Sequence, residues 1–484
     1  SQSRTGPGGG ARASSQPAKR RGRGRAGQSR ASRPAETRSR RMGRESGPYL
    51  TLHLGYREAV ISRYHLKCPG CEEVFVARLG VEPTRGTRFY LPCPNCRLPI
   101  RGSMSGTELE NHRIDIECDV MNGSDPEPPG TRVVTINPFV PSLYEADSFS
   151  PSGAFPTMTL VEVLGHDVFM EFESERHQAL AAVQIQWPRV RMLFQYYLQG
   201  NAQMFTRIAQ QQFGLDWEPS TAHHRTTVAY QAMGMVTTRI TGSTGSRAAR
   251  VIDRFALKHT SAMRRHKEHL LVIRERGKES AALERDLFTE LNRFIERHEA
   301  WEMGLLVRFV GPAEQAAFDD LVLYRDEFST LRDLYQHGFE LACKCIWPLV
   351  AAQNTVKRGR PDDFGGDHPK SVPVSKQTRS LAQFDRLANA HKIAYAAQVP
   401  GWESLGELLD NKQRNTIGHA TAHHDLQTGR IVSDTDPTGM TYLDFLGQTL
   451  GVFEALSTLA QVLRACRVAA SPDFGVTGSV RLTV

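Results

Sequence analysis

Nowhere in these 484 residues does a run of about 18 apolar side chains occur, so no segment reads as a membrane-spanning helix. The first residues lack the apolar core of a secretory signal, and the apolar face of a mitochondrial presequence is missing too. Cysteine is scarce: eight in the whole chain are too few for a disulfide scaffold. No segment repeats at 20–50 residues, which sets aside solenoids and propellers. What remains is the expectation of a soluble, cytoplasmic chain, with 40% hydrophobic and 23% charged residues as in globular proteins. Its length calls for two to four domains.

The charge is unevenly placed. Residues 1–47 hold thirteen Lys and Arg against Glu36 and Glu45, a net charge of +11. With +8 for the whole chain, the rest carries −3. Almost nothing apolar lies in 1–47, so this stretch cannot offset the entropy of ordering and is expected to be a disordered basic tail. Clusters such as Lys19-Arg20-Arg21 would attract phosphates without reading sequence.

Short strand-like runs follow at 49–54, 74–79 and 88–91, around four of the cysteines. Alternating runs at 113–118, 132–136 and 160–163 continue the β character, separated by a loop-like 122–130. Helical periodicity takes over from about residue 175. Residues 180–212 read as one or two amphipathic helices, with Pro188 near a start or kink. A basic helix follows 241–247. Two strong helices carry Leu287, Leu291, Phe294 and Ile295, then Leu321, Tyr324, Phe328, Leu331, Leu334 and Phe339. A polar linker at 357–373 precedes three helices at 381–397, 402–424 and 442–468, the last with a near-heptad apolar stripe. The expected architecture is α+β and multidomain. It comprises the tail 1–47, a small cysteine-bearing β unit 48–104, a β-rich segment 105–175, a helical middle 176–278, an all-α bundle 279–470 and a C-terminal tail 471–484.

Cys68-Pro69-Gly70-Cys71 and Cys93-Pro94-Asn95-Cys96 are two C-x-x-C knuckles. A tight turn lets both sulfurs of a pair reach one ion, and Pro with Gly or Asn suits such turns. Four thiolates close a tetrahedral shell, so the pattern predicts one structural zinc ion with no open catalytic position. It resembles the zinc ribbons of nucleic-acid-associated proteins. Arg78, Arg85, Arg88, Arg97 and Arg101 flank the knuckles and suit contact with phosphate or protein. Cys118 reads as a small hydrophobe remote from the knuckles, and Cys343 and Cys345 as core or surface thiols.

Near the C-terminus, Arg414-Asn415-Thr416-Ile417-Gly418-His419 falls within a helical pattern. Asn415 and His419, four apart, share a helix face, and the long Arg414 side chain can swing to it. An imidazole, a permanent cation and an orienting amide suffice to cleave RNA by attack of its own 2′-OH. The motif and its helical setting resemble the HEPN (higher eukaryotes and prokaryotes nucleotide-binding) family over roughly 280–470. That resemblance implies a helical bundle and metal-independent endoribonuclease activity carried by Arg414, Asn415 and His419. It also implies a homodimer whose two motifs share a cleft, RNA as substrate, and a role as toxin or antiviral effector. No small-molecule cofactor is evident.

Other signals compete. His419 and His423 form H-x-x-x-H, a metal-binding pair if both sit on one helix, but Ala420 stands where a metalloprotease carries Glu. His223-His224 has no ligand pattern around it. The basic stretch 247–278 and the ribbon arginines support the alternative of a non-catalytic nucleic-acid-binding or scaffold protein.

Overall fold

The computed structural model describes residues 60–106, 111–121, 130–143, 156–418, 421–434, 436–471 and 482. The expected basic tail, the strand-like run 49–54, most of the loop 122–130, and His419 with Ala420 lie outside the described residues.

Alternating and β-branched runs pair as their period dictates. The strands are β1 (Val60–Lys67), β2 (Val74–Val81), β3 (Thr84–Pro92), β4 (Pro99–Gly106), β5 (Arg113–Ile116), β6 (Asp119–Met121), β7 (Val133–Ile136), β8 (Ser142–Leu143), β9 (Leu321–Val322), β10 (His423–Asp425), β11 (Arg430–Ser433) and β12 (Asp436–Thr441). One sheet runs β6-β1-β2-β7, with β7 parallel to β2, and another runs β3-β4-β5. Each C-x-x-C knuckle is the tip of an antiparallel hairpin. Lys67 pairs with Val74 at the base of the first tip, and Pro92 with Pro99 at the base of the second. The sheets close on Leu66, Phe75, Leu79, Phe89, Leu91 and Ile136, all buried. Gly102 permits this closure, because a Cβ there would strike the Phe89 ring.

Helices build the rest, so the fold is α+β as the patterns imply. Helix Tyr442–Ala470 is the axis: 21 of its 29 residues are buried, which makes it covered on all sides rather than along one heptad stripe. Helices Ala222–Ile240, Ser243–Arg265, Gly277–Glu296 and Phe328–Lys344 pack around it in one continuous core. The divisions expected at 104/105, 175/176 and 278/279 fall inside β4, helix His166–Ala181 and helix Gly277–Glu296. They mark changes in composition, not breaks in packing.

Several local expectations change. Residues 160–163 belong to helix Pro156–Leu164, since a short apolar run does not distinguish strand from buried helix. Pro188 begins helix Trp187–Leu198 directly after a π-helical turn, Ala182–Gln186, which accommodates the missing N–H. The helix expected from Leu321 starts at Phe328, because Leu321 and Val322 pair with β8 instead. The stretch 357–373 is packed, not a free linker: Phe364 and Val372 are buried, and Arg358 ties Asp363 and Asp367 together.

The helix expected over 402–424 breaks into Leu405–Leu408 and Asn411–Gly418, and His423 and His424 lie in β10, paired with β11. The break has a local cause. Asp410 accepts from the amides of Lys412 (2.7 Å) and Gln413 (3.1 Å) and so caps a new helix. With His423 in a strand, the helical H-x-x-x-H pair does not form.

Candidate metal centre and C-terminal motif

The two knuckles share one backbone design. Cys68 N–H donates to the Glu73 carbonyl and Glu72 N–H to the Cys68 carbonyl, at 2.9 and 3.0 Å. Cys93 N–H to Leu98 and Arg97 N–H to Cys93 repeat the pattern at the same two distances. The residue after each second cysteine, Glu72 and Arg97, takes positive φ (62° and 64°), the left-handed turn that folds the hairpin tip back. Gly70 N–H points at Cys68 Sγ and Asn95 N–H at Cys93 Sγ, both 3.4 Å, donors suited to thiolate sulfur.

The tips then meet. Cys68 Sγ lies 3.6 Å from Cys96 Sγ, and Cys71 Sγ 3.6 Å from Cys93 Sγ. All four sulfurs fall within 4.8 Å of one another, so one metal ion could take all four. Hydrogen bonding by the Glu73 backbone draws the Cys71 thiol down to about 6, whereas burial pushes Cys93 up to about 12. Thiolate is the ligating form, so a cation held among the sulfurs would complete their deprotonation.

Cys118 is nearer than its sequence distance suggests. Lys67 pairs with Asp119 across β1 and β6, so the adjoining Cys118 comes up beside Cys68, half-buried at the edge of the cluster. Only strand register reveals this; spacing along the chain could not.

Two of the ribbon arginines, Arg88 and Arg101, are ion-paired while their side chains stay 60% and 50% exposed. Arg101 Nε reaches Asp326 at 3.0 Å and Arg88 Nη2 the same carboxylate at 3.4 Å. Next to them Arg325, 1% exposed, donates to Thr87 Oγ1 at 3.0 Å and to the Glu299 carbonyl, with its guanidinium over the Phe139 ring. Tyr90 of β3 packs on Tyr324 and on His424, and His424 stacks on Tyr442 at 4.7 Å between ring centroids. A chain of rings thus joins a knuckle-bearing strand to β10 and the axial helix. Sequence reasoning passed over Arg325, Asp326 and His424 because their partners are far away in the chain.

Arg414 and Asn415 lie on helix Asn411–Gly418, against helix Phe328–Lys344. Arg414 Nη2 bonds Glu340 Oε1 at 2.5 Å, and Nη1 bonds Asn415 Oδ1 at 3.2 Å. The other Glu340 oxygen accepts from Asn389 Nδ2 at 2.8 Å, which pins the carboxylate. Arg414 and Glu340 side chains stay 31% and 39% exposed, so solvent and solutes reach the pair. The guanidinium lies over Gly418, within 3.8 Å of where a Cβ would be. Glu340 was not legible from sequence: it is one carboxylate among many on an amphipathic helix. His419, next after Gly418, is outside the described residues.

Comparison with protein-family models, curated proteins and solved structures finds no match. Among the described residues, no helix is long and apolar enough to cross a membrane.

Proposed function

We propose that the chain is a metal-independent endoribonuclease of HEPN type, with Arg414, Asn415 and His419 as its working groups and a zinc-clipped β unit packed on its helical body. The observation that carries this reading is the state of Arg414. It is a permanent cation, reachable from solvent, oriented by Glu340, bonded to Asn415, and lying over the residue before His419. A pair this exposed adds little to stability, so bundle stability alone does not account for holding the guanidinium in place.

In the reaction, His419 takes the proton from a ribose 2′-OH, and that oxygen attacks the adjacent phosphorus. The O2′–P bond forms, the P–O5′ bond breaks, and the 5′-oxygen leaves with a proton. Arg414 stabilises the charge gathering on the phosphoryl oxygens, and Asn415 orients the guanidinium or the substrate. Two protomers, each contributing a motif to one cleft, would complete the enzyme, and a toxin or antiviral role would suit an RNA-cleaving protein of this kind.

Zinc suits the four cysteines. A Zn–S bond of about 2.3 Å puts tetrahedral sulfurs roughly 3.8 Å apart, close to the 3.6 Å seen here. Four protein ligands leave no open position, so the ion would be structural. Four cysteines arranged for a metal ion rather than for disulfides suit a cytoplasmic location.

The test is cleavage of single-stranded RNA by the full chain. Arg414→Ala and His419→Ala should each lower the rate by about 10²-fold or more, leaving 2′,3′-cyclic phosphate ends in the parent's products. Parent-like cleavage by His419→Ala would falsify the assignment.

A further inference from the structure

A cavity of about 460 Å³ opens among six helices at the C-terminal end of the axial helix, away from both sites above. Its floor is apolar: Ile273, Leu463, Cys466 and the face of Trp347. Its charged groups are mostly cationic. Arg467 uses only Nη1 on protein partners, bonding Glu284 and Tyr197 Oη, and leaves Nε and Nη2 over. Arg285 is exposed at the wall with no side-chain partner. Arg225 spends one Nη on the carbonyls of Pro219 and Ser220.

Two further groups are buried without a partner. Trp347, 2% exposed, has an unbonded Nε1–H, and Ser471 has an unbonded Oγ. Both atoms are closed off from solvent and stand behind the cavity wall, so the donors that face the cavity and lack an acceptor are the guanidinium groups. The cavity's one carboxylate cannot fill that role. Glu284, 4% exposed, already accepts from Tyr197 Oη (3.0 Å), Tyr230 Oη (2.7 Å) and Arg467. Three guanidinium groups against one saturated carboxylate leave the cavity cationic.

We infer that this cavity binds an amphiphilic organic anion, its apolar body on the Trp347–Leu463 floor and its anionic oxygens at Arg285 and Arg467. The anionic head, carboxylate or phosphate monoester, supplies the acceptors these donors lack. The floor offers no free amide or carboxylate to read the edge of a polar body such as a nucleobase. The size falls within the usual range for small-ligand sites. This inference does not depend on RNA cleavage.

Calorimetric titration of the full chain with decanoate, decyl phosphate, decylamine and adenosine monophosphate tests it. One decanoate or decyl phosphate per chain should bind at least tenfold more tightly than decylamine, and the tighter of the two identifies the head group. Arg285→Gln, which disturbs no protein contact, should weaken that binding about fivefold. Ala281→Phe, which fills the cavity, should abolish it, with circular dichroism confirming the fold. Equal binding of decylamine, tighter binding of adenosine monophosphate, or unchanged affinity in Arg285→Gln each overturns the inference.

Discussion

At the scale of single residues, the two most consequential arginines play opposite parts. Arg414 stays partly exposed, its guanidinium shared between Glu340 and Asn415. Arg325 is sealed, holding Thr87, the Glu299 carbonyl and Glu327 while covering Phe139. Burial raises the Glu327 carboxyl above its ordinary range, and Arg325 opposes that rise. Removing the cation strands the carboxylate. Arg325→Met should therefore cost about 3–5 kcal/mol in urea unfolding, and adding Glu327→Gln should restore part of the loss. A double variant no more stable than the single one would show that the lost hydrogen bonds, not the stranded charge, dominate.

At the scale of elements, the β unit has two sources of stability. One would be a metal ion held among the four cysteines, and the other is the row of contacts from Phe89, Tyr90 and Thr87 to the segment 321–327 and to His424. The helical body has its own core and does not need the clip. Metal analysis of the purified chain should give one zinc ion per molecule. Cys68→Ser or Cys93→Ser should lower the thermal midpoint and expose the β unit to protease while leaving the helical circular dichroism signal largely intact. A Cys93→Ser protein with the parent's midpoint and zinc content would rule out the four-sulfur site. Helix Asn411–Gly418 shows how a single cap redirects an element: Asp410 starts a short helix where the apolar pattern alone suggests a long one.

Across the whole molecule, buried neutral histidines set an acid limit. Thr355 Oγ1 donates to the Ala351 carbonyl, so it accepts from His269 Nδ1–H at 2.8 Å and leaves Nε2 buried without a partner. Burial lowers His269 to about 4, and likewise His424 to about 4. Both fall below the ordinary 6.5, so between those values the unfolded chain binds protons that the folded chain refuses. Their contribution to stability is complete above pH 6.5 and is lost as pH falls towards 4. The urea midpoint should be flat near pH 7 to 8 and drop steadily below 6.5. Replacing His269 by Gln should make that drop shallower; an unchanged slope would remove His269 from the account.

Some of this was readable in the sequence, and some was not. The two knuckles determine their own geometry, because a Cys-Pro-x-Cys turn is closed by hydrogen bonds within six residues and needs no distant partner. The same locality made the strands of the β unit and the strongly periodic helices legible. The α+β class follows from them. Tertiary structure decided everything that depends on meeting across the chain: Cys118 beside Cys68, Glu340 on Arg414, Asp326 under the ribbon arginines, and β10 in place of a helix at His423. β10 pairs with the nearby β11, His423 opposite Val432, in a hairpin that the helical pattern hid, whereas the first three join segments roughly 50 to 240 residues apart. Local propensity is blind at that range, because burial and charge neutralisation are settled only when the packed neighbours arrive.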